Sequence, residues 1–292
     1  MACAIGKIDL HMHTTVSDGT DTPEGLIGAV EAAGISLFSV TDHDAIKASE
    51  ILPPLLAGKS LRFLPGIEFS CKDEKGKYHI LGYGYDPNSP ALRAVVDYGH
   101  DLRMKKVIAR LEFLKDRFGF TFPDDEISAL LSQNNPGKPH IGNLMVKYGY
   151  AKTKEEAIEQ YIDLIHFASE YLRPEIAISG ILSGGGIPVL AHPFYGSGNE
   201  LILGEHMEKR LVRLVEFGLQ GLECFYSGFS DKLRSEALAL AKKYDLFVTA
   251  GSDYHGTNKL VRLGDTGLDE TADCPEGLRA FLVSAFHDSI PV

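Results

Sequence analysis

Short apolar, β-prone runs recur along this chain, and each ends on a residue that can bind a metal ion. The first run, 8–10, leads into His11 and His13. These histidines are two positions apart, so on an extended strand end both side chains point to one face. Later runs lead into the ligand residues of segments 42–44, 68, 192–193 and 252–255. Ligands at the carboxyl ends of successive strands are typical of the active site of a β/α barrel.

The placement of the histidines strengthens the prediction of a metal site. Of the eleven histidines, six fall in these motifs, whereas chance placement would scatter them through helices and loops. His79 departs slightly, because it lies near the start of its run, 78–83, rather than after it. Imidazole is the commonest nitrogen ligand of transition metals in proteins. We therefore predict a metal centre built from several strand ends.

Composition predicts a globular enzyme. A chain of 292 residues, 44% hydrophobic and 24% charged, is long enough for one large domain with an insertion. No apolar run reaches the roughly 18 residues of a membrane span and no signal-peptide pattern opens the chain, so we expect a cytoplasmic protein without a membrane partner. The four cysteines lack paired spacing and are interpreted as free thiols. The net charge of −11 argues against non-specific nucleic-acid binding, so an anionic substrate must be attracted locally.

Helical patterns separate most of the predicted strands. Thr22 can cap one helix that Gly34 ends, and 231–244 has the composition of another. Because no glycine-rich nucleotide loop follows any strand, a doubly wound nucleotide-binding sheet is disfavoured. An α/β fold with an incomplete or distorted barrel is favoured instead. The strand candidates begin near Ile8, Leu37, Arg62, Tyr78, Ile187, Gly221 and Leu246.

One long region breaks this alternation. No convincing strand lies between 83 and 187, whereas helix starts are marked by a capping box at Thr153 and by Pro174. Insertions in barrel enzymes sit on the catalytic face and commonly shape the substrate pocket, although a role in stability or dimerisation is the alternative. We therefore predict a metal-binding barrel at 1–97 and 176–292 and an all-helical insertion at 98–175.

The ordered motifs resemble those of a known enzyme family. HMHTTVSDG, TDHD, GIEFS, the His79 strand, LAHP and SDYHG follow one another as in the polymerase and histidinol phosphatase (PHP) family of metal-dependent phosphoesterases. The match runs from Ile8 to about Gly256. The helical insertion resembles that of the subgroup acting on nucleotide and small-molecule phosphates. The resemblance implies a distorted (β/α)7 barrel with three divalent metal ions at the strand ends.

The resemblance also implies how the ligands divide among three ions. Nitrogen and oxygen ligands without a thiolate suit Mn²⁺, Fe²⁺ or Zn²⁺. His11 and His13 would hold the first ion with Glu68 and Asp253. Glu68 would bridge to a second ion held by His79 and His192, and Asp18, His43 and His255 would hold the third.

With such ions, the expected reaction is hydrolysis of a phosphate ester. A hydroxide bridging two ions can attack phosphorus, while the third ion neutralises the developing charge. His192 or His255 is also suited to protonate the leaving oxygen. A metal-free acid/base pair of Glu68 and Asp253 is the weaker alternative, because carboxylates surrounded by histidines more naturally share an ion.

The substrate is less constrained. Related phosphatases place basic residues of the insertion against a second phosphate, which predicts contacts from Lys138, His140 and Arg173, with Tyr226 added from a barrel loop. Relatives often carry arginine at Lys138 and histidine near Phe229. Compatible substrates are AMP and other nucleoside 5′-monophosphates, 3′,5′-bisphosphates and short oligonucleotides, with inorganic phosphate as product and no stable nucleic-acid complex. Cyclic sugar phosphates and histidinol phosphate are the alternatives.

Two other classes remain as alternatives. Amidohydrolases also place an HxH motif on a first barrel strand, but they lack the additional signals of Asp18, the TDHD segment and Glu68. A non-catalytic accessory domain of a DNA polymerase would have lost ligands, whereas every expected ligand is present here and no polymerase sequence follows.

Other polar residues near the motifs receive no direct metal role. Asp9, Asp42 and Asp44 flank ligands and are as suited to orienting imidazoles as to binding metal. Ordinary surface or core positions are expected for the remaining histidines of the helical and terminal stretches, His100, His166, His206 and His287.

Overall fold

The computed structural model describes residues 6–167, 170–196, 200–269 and 273–286. Its first part contains β1 (Lys7–Asp9), α1 (Pro23–Ala32), β2 (Ile35–Phe38), α2 (Lys47–Leu56), β3 (Arg62–Phe63), β4 (Gly66–Asp73) and β5 (Gly76–Tyr83). A helical part follows, with α3 (Pro90–Phe118), α4 (Asp124–Leu131), α5 (Lys138–Lys147), α6 (Lys154–Gln160), a 3₁₀ turn (Ile162–Leu164) and α7 (Pro174–Ser183). The last part contains β6 (Ile187–Leu190), α8 (Gly204–Glu216), β7 (Gly221–Tyr226), α9 (Asp231–Lys243), β8 (Phe247–Gly251), a 3₁₀ turn (Gly256–Asn258) and α10 (Glu276–Ala285).

The fold is α/β, and its strands form two hydrogen-bonded groups. β1, β2 and β3 are parallel, whereas β4 to β8 form a mixed sheet in which β5 is antiparallel to both β4 and β6. Backbone bonds join the groups at two places: the Leu10 N–H donates to the Ala250 carbonyl at 2.9 Å, and the Asp44 N–H donates to the Glu68 carbonyl at 2.9 Å. The ends of β1, β2, β4 and β8 therefore lie side by side.

A strand lies near each predicted start, with one difference. The segment beginning at Arg62 forms two short strands, β3 and β4, rather than one. Pro65 stands between them, and a proline has no backbone N–H to donate to a neighbouring strand. The interruption lets the chain turn from the parallel group into the mixed sheet.

The predicted helix signals act locally as expected. The Thr22 hydroxyl accepts the Gly25 N–H at 3.1 Å at the start of α1, and Gly34 follows its end with φ of 70°. Gly184 ends α7, and Gly185 adopts φ of 77°, a conformation that glycine reaches without strain. The triple glycine therefore stops a helix.

The helical part has its own small core but shares its longest helix with the rest of the molecule. α3 runs through the boundary predicted at residue 98. Leu92 and Leu102 of this helix pack into the main core between the sheet and its helices, whereas Val107 and Leu114 pack with α4, α5 and α6. One rigid helix therefore connects the two cores.

Other expectations from composition can be compared with the structure. Cys71 and Cys224 are buried free thiols, and Cys274 is also buried, while Cys3 and His287 lie outside the described residues. Within the described ranges, no helix is both long and apolar enough to cross a membrane.

Candidate metal centre

The structure brings the nine predicted ligands into one buried cluster at the strand ends, here called the metal cluster. Glu68 lies at its centre, because its two carboxylate oxygens are 2.8–3.4 Å from imidazole nitrogens of five histidines. The Glu68 side chain is only 1% exposed. The five histidines are His11, His13, His43, His79 and His192.

Two further carboxylates complete the cluster. Asp253 Oδ1 lies 3.5 Å from His11 Nε2, 3.4 Å from His13 Nε2 and 3.4 Å from His255 Nδ1. Asp18 lies 3.4 Å from His255 Nε2 and 3.8 Å from His13 Nδ1. His13 therefore stands between the two carboxylates.

The position of His79 near the start of its strand follows from the direction of β5. Because β5 is antiparallel to β4, its first half lies beside the second half of β4, where His79 pairs with Ser70. Ser70 and Glu68 are two residues apart and share a face of the sheet. His79 thus reaches the same end of the molecule as ligands that follow parallel strands.

Backbone strain is concentrated at the cluster. Among the described non-glycine residues with positive φ are Asp44 at 50°, His192 at 25° and Asp253 at 60°. Such residues rarely adopt these conformations, which persist where the surroundings impose them, commonly at functional sites. Two of the three are predicted ligands, and the third adjoins His43.

The chemistry of the cluster fits divalent metal ions. Within the described residues, four buried ring nitrogens form no hydrogen bond: His11 Nε2, His13 Nε2, His43 Nδ1 and His192 Nδ1. A buried polar atom without a hydrogen bond is costly. Ligand atoms also lie within 4.8 Å of one another in three groups, as shared metal coordination requires. The groups are His11, His13 and Asp253; His43, Glu68 and His79; and His13, Asp18, His43 and His255. His192 stands outside these groups, with its Nε2 3.3 Å from Glu68 Oε1.

Mutual electrostatics prepares most of these side chains for a cation. Burial alone would raise the pKa of Glu68, but His79, His43 and His11 hold it well below its ordinary value. Burial lowers the pKa of His79, which favours the neutral ring that a metal ion binds. Burial also opposes a charge on His13, yet Asp253, Glu68 and Asp18 raise its pKa to about 9. A metal ion must therefore displace a proton from His13.

Glu223 supports two ligands and was not predicted from the sequence. Its Oε1 lies 2.9 Å from His11 Nδ1, and its Oε2 accepts the His192 backbone N–H at 2.7 Å. A carboxylate that fixes the second nitrogen of a ligating histidine orients the ring and raises its basicity. The available signal was a lone acidic residue inside the apolar β7 strand, GLECFY.

Asp9, Asp42 and Asp44 brace the loops around the ligands, and Asp42 also reaches His13 through Ser17, whose hydroxyl donates to Asp42 Oδ1 at 2.7 Å and lies 3.4 Å from His13 Nδ1. No hydrogen bond joins their carboxylates to a ring nitrogen of the metal cluster in the described residues. They accept bonds from backbone N–H groups, hydroxyls and one guanidinium: Asp9 from Ser252 and Gly264, Asp42 from Thr14 and Ser17, and Asp44 from Ser70 and Arg103.

A cavity of about 440 Å³ opens beside the metal cluster. One side of it is lined by cations that we call the basic wall: Lys77 of β5, Arg103, Lys106 and Arg110 of α3, and Lys138 of α5. A volume of this order suits one small-molecule ligand.

The α3 cations of the basic wall were missed from the sequence. Arg103, Lys106 and Arg110 are spaced three and four residues apart, which puts them on one helix face, but such spacing usually marks a solvated surface. Here all three are buried, with exposures of 7%, 5% and 5%. Burial, with repulsion from Arg103, lowers the pKa of Lys106 to about 7.

Several cations of the basic wall have no counter-ion. Arg103 Nε is paired with Asp44 at 2.9 Å, and Lys138 pairs with Asp163. Lys77, Lys106 and Arg110 form no ion pair with any described carboxylate. Lys106 and Arg110 are also buried, and a buried cation without a counter-ion is unfavourable, so an anionic ligand would stabilise both.

The predicted substrate contacts divide into two pairs. Lys138 and Tyr226 line the cavity, and the Tyr226 hydroxyl donates to Asp253 Oδ2 at 3.1 Å. His140 instead caps α5 by accepting the Gly137 N–H at 3.0 Å. Arg173 lies on the surface, where Glu175 and Glu74 bind its guanidinium. These two positions differ from the expectation, because nearby groups of the fold satisfy both side chains.

Lys259 is a further residue that the sequence did not single out. It follows the SDYHG motif, and its ammonium lies 2.6 Å from Asp253 Oδ2. Asp253 thus turns one oxygen to the histidines and the other to Lys259 and Tyr226.

Known proteins resemble the chain over nearly its whole length. A 3′,5′-nucleoside bisphosphate phosphatase from Chromobacterium violaceum is 28% identical over 282 residues, 93% of each chain. A 5′-3′ exoribonuclease from Haemophilus influenzae is 26% identical over 261 residues, 88% of this chain and 93% of the other. A solved structure from Bifidobacterium adolescentis, assigned to the metal-dependent phosphoesterases, superposes with a TM-score of 0.78 at 27% identity and covers 97% of this chain and 98% of its own. No family model matches the chain.

Proposed function

We propose that the chain is a metal-dependent phosphoesterase of the PHP family, as its motifs and its similarity to known phosphoesterases support, and that it removes one phosphate from a nucleotide carrying two. A nucleoside 3′,5′-bisphosphate is the substrate class that fits best. Two buried cations carry this proposal: Lys106 and Arg110 form no ion pair with any described carboxylate, and they line the cavity that also exposes the metal cluster. The similarity to the Chromobacterium bisphosphate phosphatase supports the same class.

We propose that the metal cluster holds three divalent ions, Mn²⁺, Fe²⁺ or Zn²⁺. The unpartnered ring nitrogens and the three groups of close ligand atoms support this number. Bound ions would supply an activated water for attack on phosphorus and neutralise the charge of the transition state. The ligand sets are those implied by the family motifs: His11, His13, Glu68 and Asp253; Glu68, His79 and His192; and Asp18, His43 and His255.

The protein's own contribution is to fix these ligands and to hold the substrate. Glu223 orients His11 and the backbone of His192, so two parts of the cluster depend on one carboxylate. Lys259 and Tyr226 hold the outer oxygen of Asp253. His192 and His255 remain candidates for protonating the leaving oxygen, as both are buried members of the cluster.

The basic wall would bind the second phosphate. Lys106, Arg110 and Lys77 supply charge that no described carboxylate neutralises, and charge-assisted hydrogen bonds to phosphate are stronger than neutral ones. Lys138 stands at the start of α5, where the positive end of the helix dipole also favours an anion. A cavity of about 440 Å³ suits a nucleotide better than a long polymer, which supports the absence of a stable nucleic-acid complex.

The architecture we propose is a distorted (β/α)7 barrel capped by the helical insertion at 98–175. Backbone hydrogen bonds from the segment after β1 to β8, and between the segments of Asp44 and Glu68, support closure of the two strand groups into one ring. β3 and β4 would count as one interrupted strand. The separate core of α4, α5 and α6 supports the cap.

The test is phosphate release by metal-reconstituted protein from a nucleoside 3′,5′-bisphosphate, AMP and phenyl phosphate. We expect all three to be hydrolysed, with the largest kcat/KM for the bisphosphate. Hydrolysis of an amide without turnover of any phosphate ester would overturn the proposal in favour of an amidohydrolase.

A further inference from the structure

Tyr195 lines the cavity next to the metal cluster, yet neither the ligand sets nor the basic wall uses it. It follows the predicted ligand His192 by three residues, and its backbone N–H donates to the His192 carbonyl at 2.9 Å. The ring is therefore placed beside the centre where the phosphate ester would bind.

The Tyr195 ring is held in place. Its hydroxyl donates to the Gly228 carbonyl at 2.9 Å, and its ring packs against Tyr226 and Phe229 with centroid distances of 6.2 and 5.8 Å. A Cβ atom at Gly228 would lie 2.8 Å from Tyr226 Cε1 and 3.5 Å from Tyr195 Cε2. Glycine at this position thus allows the close approach that fixes both tyrosines. A ring fixed before binding loses little conformational entropy when a ligand arrives.

The other cavity tyrosines are already engaged. The Lys106 ammonium lies 3.8 Å from the centroid of the Tyr171 ring, and the Tyr226 hydroxyl is bound to Asp253. The Tyr195 ring meets its aromatic neighbours at 51° and 43°, so its contacts are tilted rather than stacked. In the described part of the chain, no ring is stacked on Tyr195 and no cation lies over it.

We propose that Tyr195 is the stacking surface for the nucleobase of the substrate. This inference rests on the proposed nucleotide function and deepens it, because it separates a base subsite beside His192 from the phosphate subsite on α3. Stacking on an aromatic ring accepts every base, since each base has a π face. The subsite therefore selects nucleotides over sugar phosphates without a strong preference among bases.

The experiment compares a 2′-deoxynucleoside 3′,5′-bisphosphate with its abasic analogue, 1′,2′-dideoxyribose 3′,5′-bisphosphate, in four proteins. The wild type should prefer the base-containing substrate by about tenfold or more in kcat/KM, as stacking energies of this kind imply. Tyr195→Leu should erase the preference by lowering kcat/KM for the base-containing substrate alone. Tyr195→Phe should retain the preference. Tyr98→Leu, at an exposed tyrosine of α3 outside the cavity, is the matched control and should change neither substrate.

Calorimetric binding of AMP and ribose 5-phosphate, each to the wild type and to Tyr195→Leu, makes the test independent of turnover. We expect tighter binding of AMP than of ribose 5-phosphate in the wild type alone. Equal losses for both ligands and for phenyl phosphate turnover would show that Tyr195 has only a structural role. Active wild type without any base preference would overturn the inference and leave the phosphoesterase function standing. A wild type that binds AMP better but hydrolyses no phosphate ester would overturn the proposed function instead.

Discussion

The metal cluster and the basic wall face the same cavity, but they are built in opposite ways. The cluster gathers its ligands from the ends of several strands, and each histidine there has a carboxylate within about 4 Å. Most of the basic wall comes from one helix, α3, and part of its charge forms no ion pair with any described carboxylate. The metal cluster therefore offers ligands for cations, and the basic wall offers positive charge for an anion.

This contrast teaches which region performs chemistry and which selects the substrate. In the proposed function, ions held by the metal cluster would act on the reacting phosphate, so losing a ligand would remove both activation of water and stabilisation of charge. The basic wall would contact a phosphate that does not react, so its loss should weaken binding of particular substrates only.

Removing a cluster ligand should give the largest effect. We expect His11→Ala, Glu68→Gln and Asp253→Asn each to lower kcat by about a thousandfold or more for every phosphate ester, because several ions share these ligands. Phosphate release and the metal content of the purified variants check this. His206→Ala, at an exposed histidine of α8, is the control and should match the wild type. Similar losses in His206→Ala and His11→Ala would show that the site is elsewhere.

Removing the support of the cluster should have an intermediate effect. Glu223→Gln keeps the size and shape of the side chain but removes the carboxylate charge that binds the His11 ring and the His192 backbone N–H. We therefore expect a 10- to 100-fold loss of metal affinity or activity. Competition with a fluorescent chelator measures the affinity. The control is Glu216→Gln, at the exposed last residue of α8, which should change neither metal affinity nor activity. Unchanged metal affinity in Glu223→Gln would mean that the carboxylate serves folding alone.

Changes in the basic wall should separate substrates. Lys106→Met and Arg110→Met should each raise KM for a 3′,5′-bisphosphate roughly 10- to 100-fold, since a hydrogen bond to a charged group contributes about 1.5–3 kcal/mol. Turnover of phenyl phosphate should remain nearly constant. Lys105→Met, at the exposed neighbour on the same helix, is the matched control. A parallel loss of kcat for both substrates would place the basic wall in the catalytic apparatus and erase the contrast between the two regions.

The smallest effect concerns pH. Burial lowers the pKa of Lys106 to about 7, so the ammonium is charged below this value and becomes neutral as the pH rises through it. We expect the ratio of kcat/KM for the bisphosphate to that for phenyl phosphate to fall a few-fold between about pH 6 and pH 8, because kcat/KM reports ionisations of the free enzyme. In Lys106→Arg the guanidinium stays charged over this pH range, so the ratio of the two kcat/KM values should no longer change with pH. An unchanged slope in Lys106→Arg would assign the titration to another group.

The sequence predicted for a physical reason that the nine candidate ligands lie close together. Histidines and carboxylates directly after apolar runs identify strand ends, and the ends of neighbouring strands meet in space. Even His79 obeys this rule once β5 is known to be antiparallel, which depends on the tight connection between Asp73 and Gly76 and not on the ligand pattern.

The basic wall could not be predicted in the same way. Whether Arg110 is buried or solvated depends on how α3 packs against the rest of the molecule, and its spacing fits both outcomes. The interpretation of Arg173 as a substrate contact depended on its neighbourhood in sequence, but Glu74 and Glu175 bind it at the surface. Glu223 was overlooked because one carboxylate in an apolar strand carries no periodic signal.

The central claim is that the strand-end cluster holds the ions on which phosphate-ester hydrolysis depends. The most direct measurement is a titration of metal-stripped, folded protein with Mn²⁺ or Zn²⁺, in which bound metal and phosphate release are recorded on the same samples. We predict no hydrolysis without metal and activity that rises with occupancy to about three ions per chain. Full activity in the metal-stripped protein would contradict the account. So would folded protein that binds no ion in the presence of excess metal.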